Sequence, residues 1–131
     1  FLVDPRGDEV SPVCLDLAKL SHSLNGNYDA ILAGRYHINV TNNGFVLNIA
    51  DNMFFAQLFD NILEKLNVHS KTQIRMLESF LFLTMIIFHM DDLERCLAFL
   101  LRSRDILLSV TQMDRRRIND YKTTIQTRPS T

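Results

Sequence analysis

The chain has 131 residues, 47% hydrophobic and 22% charged, with a formal net charge of −1. That is enough apolar material for one domain with a genuine core, and it leaves no global field to favour nucleic acid or an anionic membrane. Two cysteines, Cys14 and Cys96, exclude a disulfide framework, and no C-x-x-C spacing exists for zinc.

Taken in chain order, Phe1-Leu2-Val3 reads as a short apolar strand delivering Asp4-Pro5-Arg6-Gly7 into a turn. Ser11-Pro12 then supplies a hydroxyl cap with proline at the first helical position, opening a helix that should run to about Asn25. Gly26 is expected to end it in the left-handed conformation. Tyr28 to Ala33 predicts a second short helix, closed by Gly34. From Tyr36 to Ile49 the apolar period becomes two, and Asn42-Asn43-Gly44 interrupts it, so this stretch should be a β-hairpin.

Three longer helices follow. Asp51 caps the first, in which Phe54, Phe55, Leu58, Phe59, Ile62, Leu63 and Leu66 recur at helical spacing. Ser70 with Gln73 makes a capping box for the second, which holds the apolar run Phe80 to Phe88. That run is well short of the roughly 20 residues a membrane helix needs, so it should be core. Asp91 with Glu94 makes a box for the third, buried through Leu93, Leu97, Leu100, Leu101 and Leu108 and continuing to about Tyr121. The expected fold is mainly α with one hairpin, residues 1–125 forming one helical unit and residues 126–131 a disordered tail.

Several residues invite chemistry. Asp4 ends a buried strand, and its carboxylate is the hard oxygen donor that holds Mg²⁺ against phosphates. Arg6 and Gly7 would shape an anion-facing turn, unless Arg6 is simply solvated or paired with Asp8 or Glu9. Lys19 and His22 lie three positions apart on the first helix, and both read best as a solvated face. His89-Met90-Asp91-Asp92 combines metal-ligating types, but the aspartates fall where a helix needs its cap. Asn39-Val40-Thr41 matches a glycosylation acceptor, a short pattern frequent by chance. Arg115-Arg116-Arg117 reads as a solvated basic cluster. The phenylalanines at helical spacing are core candidates.

Asp4, the turn with Gly7, and Asp16-Leu17-Ala18 together resemble the end of the catalytic region of the aminoglycoside phosphotransferase and choline kinase families. Asp4-Pro5-Arg6-Gly7 with Asp16-Leu17-Ala18-Lys19-Leu20-Ser21-His22-Ser23 is most similar to a bacterial branch linked to capsule and surface-polysaccharide biosynthesis. The resemblance implies the helical C-terminal subdomain of a protein-kinase-like fold. It makes Asp4 the residue that binds metal and, through it, the nucleotide cofactor, and Asp16 a structural residue that anchors the catalytic loop. The implied cofactors are Mg²⁺ and ATP, and the implied partners are a small-molecule acceptor and an N-terminal kinase region in cis.

The nucleotide lobe and the catalytic aspartate loop of such kinases have no counterpart in these residues. The chain is therefore expected to be the C-terminal piece of a longer cytoplasmic enzyme, inactive alone, with no membrane span and no nucleic-acid partner. Apolar surface exposed where the missing region packed would allow homodimerisation. A non-catalytic helical interaction domain, with Asp4 and Asp16 as turn and cap residues, is the competing expectation.

Overall fold

The computed structural model describes residues 13–50, 53–66 and 71–126. In chain order the elements are α1 (Val13–Leu24), α2 (Tyr28–Leu32), β1 (Tyr36–Thr41), β2 (Gly44–Ile49), α3 (Met53–Leu66), α4 (Lys71–Phe88) and α5 (Leu93–Gln126). The expectation of a mainly α fold with one hairpin is met. Helix α4 is the central wall: α5 packs along it antiparallel, α1 packs on another side, and α3 sits outside α1. The hairpin and α2 lean on α5.

Two apolar clusters result. Ile31, Phe82, Ala98, Phe99 and Ile106 form one, closed by Tyr28, Tyr36, Ile38, Leu47 and Ile49. Ala18, Phe59, Leu63 and Ile74 form the other. Ile74 and Phe82 sit eight positions apart on the same line of α4, so this one helix contributes to both clusters.

The element ends follow local chemistry, with two departures from expectation. Gly34 closes α2 at φ 69°, and the amides of Gly34 and Arg35 bond back to Ile31 and Ala30, the pattern of a left-handed glycine cap. Gly26, in contrast, is not left-handed. Asn27 takes that conformation instead, at φ 58° and ψ 37°, which asparagine tolerates better than most side chains. Gly26 is required for space: a Cβ there would lie 2.5 Å from the His22 carbonyl oxygen and 2.6 Å from the Phe82 ring. Helix α5 is capped by Asp92 rather than Asp91, the Asp92 carboxylate accepting the Arg95 amide at 3.0 Å. The cap expectations at Ser11-Pro12, Asp51 and Ser70 lie outside the described residues.

In the hairpin, Tyr36 pairs with Ile49 and Ile38 with Leu47, and these four side chains turn toward the core. The tip projects beyond it, leaving Val40 and Phe45 exposed, although Arg104 Nη1 donates to the Phe45 carbonyl at 3.1 Å and ties the tip to α5. The turn is not the primed type expected of Asn-Gly. Asn42 and Asn43 keep negative φ, and the positive φ is carried by Gly44 at 122°.

The apolar periodicity overstated burial on α3 and α4. Phe59, Phe82 and Phe99 are core, whereas Phe54, Phe55, Phe80 and Phe88 are exposed, because among the described residues each helix has a neighbour on only part of its circumference. Among the described residues no helix is long and apolar enough to cross a membrane. Gly26→Ala is expected to destabilise the chain by about 2–3 kcal/mol, the cost of overpacking against backbone and a fixed ring. Urea denaturation of the variant beside wild type measures it.

Candidate functional site: a buried carboxylate behind the α1–α2 turn

The end of α1 carries Ser21-His22-Ser23-Leu24-Asn25-Gly26, and the groups that fix it come from α4 and α5. Glu78 is the centre. It lies on the line of α4 between Ile74 and Phe82, and is fully buried. Its Oε2 accepts from Ser21 Oγ at 2.5 Å and from Arg75 Nη1 at 2.6 Å. Asn25 Nδ2 donates to Ser21 Oγ at 3.1 Å, extending the network into the turn. Arg102, from α5, completes it: Nε donates to the Gly26 carbonyl at 3.0 Å and Nη2 to the Asn25 carbonyl at 2.5 Å. A guanidinium on the last carbonyls of a helix both satisfies their hydrogen bonds and complements the negative end of its dipole.

Burial raises the Glu78 pKa above the ordinary carboxylate value, opposed by the charge of Arg75, the Ser21 hydrogen bond and the charge of Arg102. Beside it, Ser79 and Ser103 share a buried hydrogen bond of 2.9 Å between α4 and α5.

His22 faces inward. Its ring lies 4.1 Å from the Phe82 ring and 4.4 Å from Tyr28, centroid to centroid, and Nε2 is buried with no hydrogen-bond partner among the described residues. Burial lowers its pKa from 6.5 to about 4, so the imidazole is neutral near pH 7. The solvated face expected for His22 is thus corrected, because α1 places position 22 against α4 and not toward water.

Ser21, Glu78 and His22 have almost no solvent contact, and a substrate cannot reach them. The network therefore positions rather than reacts: it fixes the end of α1 and the following turn to two long helices.

The residues singled out in the sequence fall elsewhere. Asp4, Arg6 and Gly7 lie outside the described residues. Asp16 is exposed in the first turn of α1, with Lys19 Nζ 3.7 Å from its carboxylate. The fold brings Asp16 and Lys19 together but holds both apart from the buried network. His89 packs its ring on Phe99, 5.4 Å between centroids, and Asp92 is the helix cap. Among the described residues no group of three or more His, Cys, Asp or Glu side chains could hold a metal ion. Asn39 and Thr41 are exposed on β1, and Arg115, Arg116 and Arg117 are exposed on α5. Cys14 and Cys96 are free thiols.

The key residues Glu78, Arg75 and Arg102 escaped notice in the sequence. The available signal was a carboxylate on the line Ile74-Glu78-Phe82, where helical periodicity demands an apolar side chain. Comparisons with family models, curated proteins and solved structures return no match for this chain.

Two measurements test the network. Arg102→Ala removes a counter-charge and two hydrogen bonds to carbonyls of the α1–α2 turn, so a loss of about 3 kcal/mol is expected in chemical denaturation. For His22 the folded pKa lies below the unfolded one, so its contribution is complete above about pH 6.5 and is lost as pH falls toward about 4. The full effect is on the order of 3 kcal/mol. Glu78 acts in the opposite sense, its raised pKa favouring the folded state as pH falls. The difference between wild type and His22→Phe, followed by urea denaturation from pH 7 to pH 4.5, isolates the histidine, and the variant should show the shallower acid loss.

Proposed function

We propose that this chain is the C-terminal helical part of a small-molecule kinase that transfers the γ-phosphoryl group of ATP to a hydroxyl of a sugar, polyol or amino alcohol. The setting proposed is surface-polysaccharide biosynthesis in the cytoplasm, with the chain inactive apart from its upstream kinase region. The observation that carries this reading is the pair of motifs Asp4-Pro5-Arg6-Gly7 and Asp16-Leu17-Ala18 at their twelve-residue offset. The position of Asp16 is in keeping with it, exposed on a helix whose far end is clamped by Glu78 and Arg102. A rigid α1 would offer Asp16 to a neighbouring segment at a fixed height.

Mg²⁺ bound with ATP would supply charge neutralisation at the phosphates. In this chain Asp4 is the residue that the resemblance assigns to it. The remaining residues would build the wall behind the acceptor and hold α1 in place.

A second reading has its own support. Phe54, Phe55, Leu58 and Ile62 present an exposed apolar face along α3, larger than scattered surface residues require. In the kinase reading this face packs on the upstream region, and in its absence would let two fragments associate. In the alternative, a non-catalytic helical interaction domain, it binds another protein.

The deciding experiment is ATP consumption by the full-length parent with Mg²⁺ against a panel of sugars, polyols and amino alcohols, wild type beside Asp4→Ala. Acceptor-dependent turnover that falls at least a hundredfold in the variant is the expected result. Absence of acceptor-stimulated turnover, with nucleotide and metal binding unchanged by the substitution, would transfer the lead to the interaction domain.

A further inference from the structure

Helix α5 outruns its partner. Phe82 faces Phe99, Ser79 faces Ser103, and Thr72 Oγ1 donates to Asp114 at 3.5 Å, a register that brings Lys71, the first residue of α4, level with the residues just after Asp114. Residues 115–126 continue as helix past that point, about 18 Å of rod at 1.5 Å per residue. Residues 115–123 are all exposed. On this stretch Asp114, Arg115, Ile118, Tyr121 and Lys122 share one side at spacings of three and four, and Ile118 and Tyr121 are 55% and 69% exposed.

The order of these side chains is complementary to its own reverse. An antiparallel copy laid with Ile118 against Ile118 sets Asp114 opposite Lys122 of the second copy, and Arg115 opposite Tyr121 of the second copy. The twofold axis repeats each pairing. Every facing position then has a suitable partner: apolar on apolar at the centre, opposite charges at the ends, and a guanidinium over an aromatic face between them. A parallel copy would set like charges side by side. A polyanion is the weaker fit, because Asp114 and Asp120 interrupt the basic run.

We propose that the distal part of α5 is a self-association surface, on which two copies of this chain pair antiparallel about Ile118. The contact covers only a few helical turns, below the size of a standard stable interface, so the dimer is weak, with a dissociation constant on the order of 100 μM. Its end charges are exposed, so salt weakens it further. The proposal does not depend on the kinase reading, and its surface lies apart from the apolar face of α3.

The test is sedimentation equilibrium of the full chain at low ionic strength, from micromolar to near-millimolar concentration, with circular dichroism to verify folding. Asp114→Lys sets lysine against Lys122 of the second copy, and Lys122→Asp sets aspartate against Asp114. Each should weaken association by about tenfold. The double variant Asp114→Lys/Lys122→Asp restores both pairs and should return to within about threefold of wild type. Lys122 is fully on the surface, so its reversal reads the interface without disturbing the Thr72 contact. A monomer at every concentration overturns the proposal. So does a dimer indifferent to both single reversals, failure of the double variant to recover, or association abolished instead by Leu58→Glu on α3.

Discussion

A carboxylate with no access to water organises this protein. Glu78 occupies a position on α4 where an apolar side chain would be expected, and an ion buried there is tolerable only if opposite charge and hydrogen bonds reach it. Those partners come from three separate stretches of chain: Ser21 on α1, Arg75 one turn away on α4, and Arg102 on α5. Holding Glu78 Oε2 fixes the height of α1 against α4, although Oε1 has no hydrogen-bond partner among the described residues, and Arg102 ties α5 to the same turn through the Asn25 and Gly26 carbonyls. A one-turn slide of either helix would preserve much of the apolar contact but strand the charge. The polar layer selects one packing among several that hydrophobic burial alone would accept.

The apolar clusters lie on either side of that layer and are linked through it. Gly26 makes this visible, since its missing side chain lets the α1–α2 turn lie directly on the Phe82 ring, and the same ring faces His22. The carbonyls of this turn are those that Arg102 caps. Packing and electrostatics thus meet in a few residues, and the outcome is mechanical: the far end of α1 is immobilised while Asp16 in its first turn and Lys19 in the next stay in contact with solvent. A rigid helix that presents its N-terminal end suits a role in positioning whatever segment lies against it.

The outer surface is less complete than the interior. Helix α3 covers α1 with one face and leaves a row of aromatic and aliphatic side chains on the other, and α5 runs on beyond the first turn of α4. Both are places where secondary structure has formed with no tertiary partner among the described residues. Their characters differ. The α3 face is almost wholly apolar, as a surface made for extensive burial is, whereas the α5 segment alternates charge around a small apolar centre, as befits a reversible contact.

How much of this was legible in the sequence depends on range. Local signals worked: the period-two stretch from Tyr36 to Ile49, the glycine after α2, and the helical recurrence of leucine and phenylalanine each gave the right element in the right place, because propensity, caps and periodicity act within a few residues. They failed where a neighbour decides. Gly26 was read as a conformational glycine, yet what it lacks is room, and the crowding ring lies 56 positions away in the sequence. His22 was read as solvated because nothing on α1 says which side faces α4. Phe54 and Phe59 look alike in a hydrophobic pattern, and only the placement of α3 separates surface from core. Asp91 with Glu94 fits a capping box by spacing, yet the geometry of the turn gives the cap to Asp92. The elements and their order are written in the local amino-acid pattern, since they follow from short-range sterics and hydrogen bonding. Which charge is buried, which helix ends are clamped and which apolar faces remain open emerge with the packed fold, because those depend on side chains brought together from distant parts of the chain.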